Sequence, residues 1–493
     1  MKDVIIISAE GSIVSAGPLY VASLLIDHGY TAATLQCLDY MDDDKIQNLI
    51  DLYFTHEKQI LGVSLTFARS NHSLATLSKF IIKVRDKFPN IKIVAGGANS
   101  IDYVKSRLPE GIIYVLGQNR ENDIIDTFNK LSGRIIKKPF DFKNFSVNYK
   151  ALFPKVAPKG VIMYLDLSRG CYFNCVFCNY NLRGSKSNFK NRDQISKEIN
   201  EFYEVFGTSD IFLLCNTFNE SIDKIRELKE ASKTLPFIPS YFAFTRVDLL
   251  MSQPEEVKEF YKDFVRYVFL GIESLNPQTL RSIRKSVNVE KIKQFLIDFR
   301  KDSLETHVML SFIVGLPNDS YDNHAEVAKW INENGVYDSA IFHPLRINDV
   351  DTTIGLNEFS DIEKNPGNYG YIISKEGSLL FGKNSKKTFD GPTQIKDWVR
   401  TDGYSSIKSV EDSLKLNAMV DNGFQFPTHM VLSSFGKKIP NKTNFFSPRN
   451  TLLNVGISQP EPINDEKNIL IQNASFAITE FIQSYYNSLV ANA

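Results

Sequence analysis

The sequence predicts an α/β protein in which two parallel-sheet units are followed by a less regular C-terminal region. Short β-branched runs alternate with segments of helical spacing in residues 1–131, and the alternation repeats about six times in residues 161–345. It fades in residues 346–493, which mix glycine, aromatic and charged residues. Strands that read as continuous apolar runs are typical of a parallel sheet covered by helices on both faces.

The first unit is predicted to hold five strands separated by helices, because apolar runs of four to eight residues alternate with apolar positions three or four apart. The predicted strands are residues 4–8, 31–38, 60–65, 91–95 and 112–116, and the predicted helices are residues 19–29, 45–52, 74–88 and 122–131. The proline-containing stretch 132–160 is predicted to be a linker.

Ligands of such sheets bind at the carboxyl ends of the strands. In this chain those ends are residues 11–17, 64–70, 96–99 and 117–119, which are rich in small residues. Small residues permit close approach of a ligand, but they also form the tight turns of any α/β domain. The pattern alone leaves both interpretations open.

Composition and charge limit the kinds of partner that the chain is expected to bind and the cellular compartment in which it is expected to work. Lys plus Arg and Asp plus Glu both number 57, so broad electrostatic capture of nucleic acid or of an acidic membrane is not expected. Apolar runs fall short of the ~20 residues that cross a bilayer, and the first residues do not resemble a signal peptide. Five cysteines form no disulfide framework. We expect a cytoplasmic chain with no nucleic-acid or membrane partner.

Three of those cysteines, Cys171, Cys175 and Cys178, have the spacing Cys-x3-Cys-x2-Cys. Three thiolates on one tight loop suit an iron–sulfur cluster with one iron left open to a small-molecule ligand. A structural zinc site needs a fourth ligand, which Cys215 would supply only if the chain folded back. Zinc and unrelated free cysteines are the alternatives to the cluster.

The motif Cys-x3-Cys-x-aromatic-Cys, with Phe177 in the aromatic place, resembles the signature of the radical S-adenosylmethionine (SAM) superfamily. Residues 269–280 and 311–320 are similar to the fourth- and fifth-strand segments of that family. The resemblance implies a partial (β/α)6 barrel over residues 161–345, with strands at 162–167, 211–214, 241–245, 267–271, 306–314 and 339–342.

The resemblance also implies chemistry and site residues. A 4Fe–4S cluster on the three cysteines holds SAM by its amino and carboxylate groups. One electron from a reductant such as flavodoxin or ferredoxin then yields a 5′-deoxyadenosyl radical, which abstracts hydrogen from the substrate. The implied SAM contacts, in the order adenine, amino group, carboxylate and ribose, are Phe177 and Tyr180, then Asn216, Thr217 and Asn219, then Arg246, then Glu273 and Ser274. Turn, salt-bridge and surface roles are the alternatives for these residues.

A flavodoxin-like domain directly before such a barrel resembles the cobalamin-binding subgroup of the superfamily, and segments 17–30, 93–100 and 115–123 carry the likeness. The chain departs from classical cobalamin domains because it lacks their Asp-x-His-x-x-Gly motif; His28, His56 and His72 do not sit in that pattern. Residues 66–70 are the candidate for the lower face of the cobalt.

The remaining cysteines limit the alternatives. No cysteine follows Cys215, so the C-terminal auxiliary clusters of radical SAM peptide maturases are not expected. Only Cys37 precedes the triad, whereas methylthiotransferases carry three cysteines there for a second cluster. Cys37 is predicted to be a small buried residue. Cys215 falls at the open end of the predicted barrel, where it is either a buried residue or a thiol that acts on the substrate. In the C-terminal region, residues 410–420 and 474–490 have helical spacing, and Tyr369, Tyr371 and Trp398 belong either to a pocket or to the core. We expect this region to serve as a lid or substrate pocket.

These observations predict four segments: a cobalamin-binding-type domain (1–131), a linker (132–160), a radical SAM barrel (161–345) and a C-terminal substrate or lid region (346–493). The predicted function is cobalamin-dependent methyl transfer from SAM to an unactivated carbon of a small molecule or peptide. The alternatives are a radical rearrangement, cyclisation or epimerisation with or without cobalamin, and an iron–sulfur protein that senses SAM without turnover. The sequence identifies no catalytic side chain.

Overall fold

The computed structural model describes most of the chain. The described residues are 2–9, 15–56, 58–65, 71–97, 104–115, 120–135, 138–158, 161–180, 182–285, 288–303, 305–348, 360–374, 395–420 and 480–493. Among them, no helix is both long and apolar enough to span a bilayer.

The first unit is a five-stranded parallel sheet in the order β2-β1-β3-β4-β5. This order is that of the flavodoxin-like doubly wound fold, which the sequence predicts. The strands are β1 (Val4–Ile7), β2 (Ala32–Leu35), β3 (Ile60–Ser64), β4 (Lys92–Gly96) and β5 (Ile113–Val115). Helices α1 (Ala16–Asp27), α2 (Asp43–Tyr53), α3 (Asn71–Lys87) and α4 (Arg120–Ser132) accompany them.

The second unit is a six-stranded parallel sheet in the order β13-β12-β11-β10-β9-β6, an open barrel. All six predicted strands are present. They are β6 (Met163–Leu165), β9 (Asp210–Leu213), β10 (Ser240–Arg246), β11 (Val265–Glu273), β12 (His307–Val314) and β13 (Ser339–Pro344). The short helix α5 (Tyr149–Leu152) precedes them.

Helices connect the barrel strands, as right-handed parallel crossovers require. They are α6 (Arg192–Phe206), α7 (Ile222–Lys233), α8 (Val247–Leu250), α9 (Glu255–Phe264), α10 (Pro277–Ser282), α11 (Val289–Asp302) and α12 (Tyr321–Asn334). An antiparallel hairpin that periodicity does not predict, β7 (Ser168–Cys171) and β8 (Ser185–Phe189), lies between β6 and α6.

The C-terminal region lies on both units. Strands β14 (Ile347–Asn348) and β16 (Ile395–Lys396) pair, as do β15 (Tyr371–Ile373) and β17 (Trp398–Arg400), and α13 (Asp361–Lys364) precedes β15. Helix α14 (Ser406–Met419) lies along β13, where the side-chain amide of Asn417 binds both the N–H and the carbonyl of Phe342. The final helix, residues 480–492, packs on the first unit, where the Tyr485 hydroxyl accepts from the N–H of Gln36.

Two of the three C-terminal aromatic residues have the core role that the sequence left open, whereas Tyr369 is half-buried and lines a surface cavity. Tyr371 and Trp398 are buried and meet edge to face at 5.1 Å between ring centroids. The Tyr371 hydroxyl donates to the carbonyl of Gly315, and the Trp398 indole donates to that of Leu345. The β15–β17 pair therefore covers the carboxyl ends of β12 and β13.

A buried ion pair joins β8, α6 and the linker. Lys190 Nζ lies 2.5 Å from Glu198 Oε2, both side chains are fully buried, and the ammonium faces the rings of Phe142 and Phe145. Burial raises the pKa of Glu198 despite the neighbouring lysine. The pair therefore depends on both partners being present.

We expect Lys190→Met to lower the free energy of unfolding by roughly 3–5 kcal/mol, because it leaves the Glu198 carboxylate buried without a counter-charge. Chemical denaturation of the purified protein measures the change. The double variant Lys190→Met/Glu198→Leu is the control and should regain most of the loss. A single variant within about 1 kcal/mol of wild type would show that the pair contributes little.

Candidate active site

The three clustered cysteines belong to the β7–β8 hairpin: Cys171 ends β7, and Cys175 and Cys178 lie on the loop that follows. The N–H of Cys171 donates to the carbonyl of Leu182, and that of Gly184 donates to the carbonyl of Phe173, so both ends of the loop are fixed. Gly170 has φ +105°, and a Cβ there would lie 2.7 Å from the Lys186 carbonyl oxygen. Only glycine fits this position, which leads directly into the first cysteine.

The three thiols of the motif lie in a largely buried environment. Cys171 and Cys175 are buried, Cys178 is half-buried, and burial raises the pKa of the Cys171 and Cys178 thiols. In the described part of the chain, no three His, Cys, Asp or Glu side chains converge closely enough to hold a single metal ion. A 4Fe–4S cluster does not require that convergence, because each thiolate binds a different iron.

Arg246, at the end of β10, lies against the cysteine loop. Its Nη1 is 3.1 Å from Cys175 Sγ, and its guanidinium covers the face of Phe173 at 3.9 Å. Asp248 holds the other edge, accepting from Nε at 3.1 Å and from Nη2 at 2.6 Å. Burial opposes the charge of Arg246, but Asp248 and Cys175 outweigh it, so its pKa lies above the ordinary value.

A second buried ion pair, which the sequence analysis missed, supports the same loop. Lys224 Nζ donates to Glu220 Oε1 at 3.1 Å, to the Thr217 carbonyl and to Ser168 Oγ. The other oxygen of Glu220 accepts from the N–H of Tyr172, next to Cys171. The spacing of Glu220 and Lys224, four residues apart on a helical turn, was the only available signal, and such spacing is common on exposed helices.

The residues assigned to the amino end of SAM are close to the loop but differ in exposure. Thr217 Oγ1 lies 3.5 Å from Cys171 Sγ, and Asn216 is exposed. Asn219 is fully buried: its Nδ2 donates to the carbonyl of Arg246, and its Oδ1 accepts from the N–H of Arg246. Asn219 thus fixes the backbone that carries the guanidinium.

The residues assigned to adenine also lie on or beside the loop. Phe177 is half-buried between Val176 and Cys178. The Tyr180 hydroxyl accepts from the N–H of Gly170 at 3.0 Å, and burial raises the pKa of Tyr180. Their contact with a ligand stays a prediction.

The residues assigned to the ribose lie at the end of β11: Glu273 is its last residue and Ser274 follows it. Glu273 has φ +70° and pairs with Lys285 at 2.8 Å. Ser274 is buried, and its hydroxyl accepts from the N–H of Asn276 at 3.0 Å. Nearby Asp319 follows β12, and its carboxylate lies 3.0 Å from the imidazole of His324. The left-handed conformation of Glu273 is the kind of backbone strain that concentrates at functional sites.

An aromatic layer lies inside the barrel below these groups. Phe212 and Phe242 are buried and stacked at 4.7 Å, and half-buried Tyr164 lies level with Phe212 on the neighbouring strand. Phe244 and Phe269, also half-buried, lie nearer the carboxyl ends of the strands. Phe244 meets Phe269 at 5.0 Å. A substrate in the barrel would therefore contact apolar ring surface.

A cavity of about 330 Å³ lies between the two units. The first unit contributes the carboxyl ends of β3, β4 and β5 and the start of α1, which is the edge where the sequence predicts a ligand. The barrel contributes Tyr164, Asp166 and Leu214, and the cysteine hairpin contributes Arg169. The parts of the predicted strand-end loops at 11–14, 66–70, 98–99 and 117–119, including the candidate for the cobalt face, lie outside the described residues.

The sequence of the barrel region matches a known protein family. Residues 165–331 match the model of the radical SAM superfamily. The chain contains a radical SAM domain. The match spans the cysteine loop, Arg246, Glu273 and Ser274, and it confirms the family prediction for this domain.

Likeness to solved structures extends beyond the radical SAM domain. TsrM of Kitasatospora setae, a radical SAM methyltransferase solved with cobalamin and a 4Fe–4S cluster, superposes with TM-score 0.61 at 13% identity, covering 97% of this chain and 100% of TsrM. OxsB, a cobalamin-dependent radical SAM enzyme, superposes with TM-score 0.56 at 13% identity, covering 100% of this chain and 83% of OxsB. At this identity the likeness establishes the fold, including the predicted first unit.

Curated relatives share shorter stretches. An uncharacterized methyltransferase of Pyrococcus horikoshii is 27% identical over 164 residues, which is 33% of this chain and 34% of that protein. The chain spans between about a third and a little over half of the length of the first curated relatives it matches.

Proposed function

We propose that this protein is a cobalamin-dependent radical SAM methyltransferase that acts at an unactivated carbon. The observation that carries the proposal is the cavity between the two units, which reaches the hairpin bearing Cys171, Cys175 and Cys178. When bound, the cluster with SAM supplies a 5′-deoxyadenosyl radical and the corrinoid supplies the methyl group.

The cavity wall fits a corrinoid. Its lining is mostly aliphatic, and the strand ends that face it carry small residues, among them Ser64, Gly96 and Gly97. Gly97 has φ +83°, a conformation that favours glycine. A mostly apolar wall with a few polar groups is typical of sites that bind cofactors.

The chain's own residues divide the remaining work. The hairpin backbone and the Glu220–Lys224 pair hold the cysteine loop, and Arg246 presents a fixed guanidinium beside it. The aromatic layer of Tyr164, Phe244 and Phe269 gives the substrate an apolar floor that keeps water from the reacting carbon. We assign the electron to a small reductant such as flavodoxin or ferredoxin.

The names of related proteins agree with methyl transfer. They include the archaeal methyltransferase and TsrM described above and a hopanoid C-3 methylase that is 26% identical over 128 residues. Methylthiotransferases also match, for example one of Protochlamydia amoebophila at 21% identity over 304 residues. In this chain, however, the only cysteine before the triad is Cys37, which is buried. We therefore favour a methyl over a methylthio product.

Purification from cobalamin-fed cells without oxygen, followed by cyanide extraction, tests the proposal. We expect about one corrinoid per chain by absorbance, and formation of both 5′-deoxyadenosine and S-adenosylhomocysteine once a substrate and reductant are present. 5′-Deoxyadenosine without corrinoid or S-adenosylhomocysteine would favour rearrangement, cyclisation or epimerisation. An intact cluster that binds SAM without cleaving it would indicate a sensor.

A further inference from the structure

The cavity between the two units contains one polar network, formed by Tyr20, Glu121, Asp166 and Arg169. Arg169 Nη1 donates to Glu121 Oε1 at 2.6 Å, Nη2 donates to Tyr20 Oη at 2.7 Å, and Nη2 and Nε donate to Asp166 Oδ2 at 2.8 and 3.2 Å. The Tyr20 hydroxyl donates to Glu121 Oε1 at 3.2 Å. The network therefore joins helices α1 and α4 of the first unit to the barrel and to the cysteine hairpin.

The network is held in place from several sides. The Arg169 guanidinium lies over the rings of Tyr20, Phe140 and Phe142 at 5.3, 5.8 and 4.6 Å. The Glu121 and Asp166 side chains are 14% and 20% exposed. Since burial lowers the local dielectric constant, charges in this position act more strongly on a ligand than they would at the surface.

The charge of the network is unbalanced. Arg169 is the only cation among the described residues that line the cavity, and it faces the two carboxylates of Glu121 and Asp166, which leaves a net charge of about −1 at neutral pH. Each carboxylate accepts hydrogen bonds from Arg169 through only one of its two oxygens. Among the described residues, Glu121 Oε2 and Asp166 Oδ1 receive no hydrogen bond.

We infer that this network selects among corrinoids by the groups at the edge of the corrin ring. It accepts the N–H groups of neutral side-chain amides and rejects corrinoids that carry carboxylates in place of those amides. The inference rests on the proposed function, because it requires that a corrinoid occupies the cavity. Amide N–H groups satisfy the open oxygens of Glu121 and Asp166. A ligand carboxylate there meets a like charge in a poorly solvated site, which costs far more than a lost hydrogen bond.

Binding of matched corrinoids to the cluster-loaded, full-length protein tests the inference. The probes are hydroxocobalamin and its b-, d- and e-monocarboxylates, in each of which one propionamide is hydrolysed. At pH 7.5 we expect at least one monocarboxylate to bind tenfold or more weakly than hydroxocobalamin. The position of that carboxylate then identifies the edge of the ring that faces the network.

Variants separate this charge effect from a general disturbance. Glu121→Gln keeps an acceptor for Tyr20 and Arg169 but removes the negative charge, so it should reduce the discrimination at least threefold. Asp126→Asn is the matched control, because Asp126 lies exposed on the same helix; the discrimination should be unchanged. The inference is overturned, and the proposed function is not, if all three monocarboxylates bind as tightly as hydroxocobalamin. The same holds if Glu121→Gln and Asp166→Asn both keep the full discrimination. Failure to bind any corrinoid would overturn the cobalamin part of the proposed function as well.

Discussion

The variant in which Cys171, Cys175 and Cys178 are all changed to alanine is expected to lose the brown absorbance of the cluster and all cleavage of SAM. The three thiols share one loop, and the remaining cysteines, Cys37 and Cys215, are buried and outside the motif. Without thiolates, iron has no ligands of the required kind at this loop. Iron content, visible absorbance and 5′-deoxyadenosine after reduction measure the loss, with about four irons per chain expected for wild type.

Cys215→Ala is the matched control. Cys215 is buried after β9, and burial raises the pKa of its thiol to about 11, which leaves it protonated and unreactive at neutral pH. This variant should keep the full cluster and most of the SAM cleavage. A triple variant with the iron content of wild type would show that the cluster ligands were assigned wrongly.

Most strands of both sheets are predictable from the sequence because they are largely buried. They are runs such as residues 4–7 or 60–64, in which almost every side chain is apolar and buried, so hydrophobicity alone marks them. The exception is β5, which is partly exposed. Predicted and observed bounds differ by a few residues at most. The β7–β8 hairpin has no such signal, since its strands are SRGC and SKSNF, and only their pairing around the cysteine loop makes them strands.

Side-chain roles were harder to predict than strands, because they depend on contacts between distant elements. The sequence names Asn219 as a contact for the SAM amino group, but the structure shows its amide bound to the backbone of Arg246, on another strand. Arg169 carries no signal in the sequence that marks it, although it joins the two units. A single polar residue in a turn has no periodicity from which its partner can be inferred.

Arg246→Lys is expected to weaken SAM binding by about ten- to a hundredfold while the cluster stays intact. Asp248 occupies the Nε and Nη2 edge of the guanidinium, and Cys175 lies against Nη1. Nη1 and Nη2 then each keep one N–H that has no acceptor among the described residues. These two N–H groups form the fork that binds a carboxylate with two parallel hydrogen bonds. Hydrogen bonds to charged groups contribute roughly 1.5–3 kcal/mol, and lysine cannot reproduce their geometry.

The change in the electron paramagnetic resonance spectrum of the reduced cluster on titration with SAM measures this affinity. Arg226→Lys is the control, because Arg226 is exposed on α7, where it pairs with Asp223 and with Glu256 of α9. Asp248→Asn keeps Arg246 but weakens the hydrogen bonds that hold its Nε and Nη2 edge. The SAM affinity of this variant should therefore fall between those of wild type and Arg246→Lys. If Arg246→Lys binds SAM as wild type does, the carboxylate lies elsewhere. Arg246 would then serve the cysteine loop alone, through its contacts with Cys175 and Phe173.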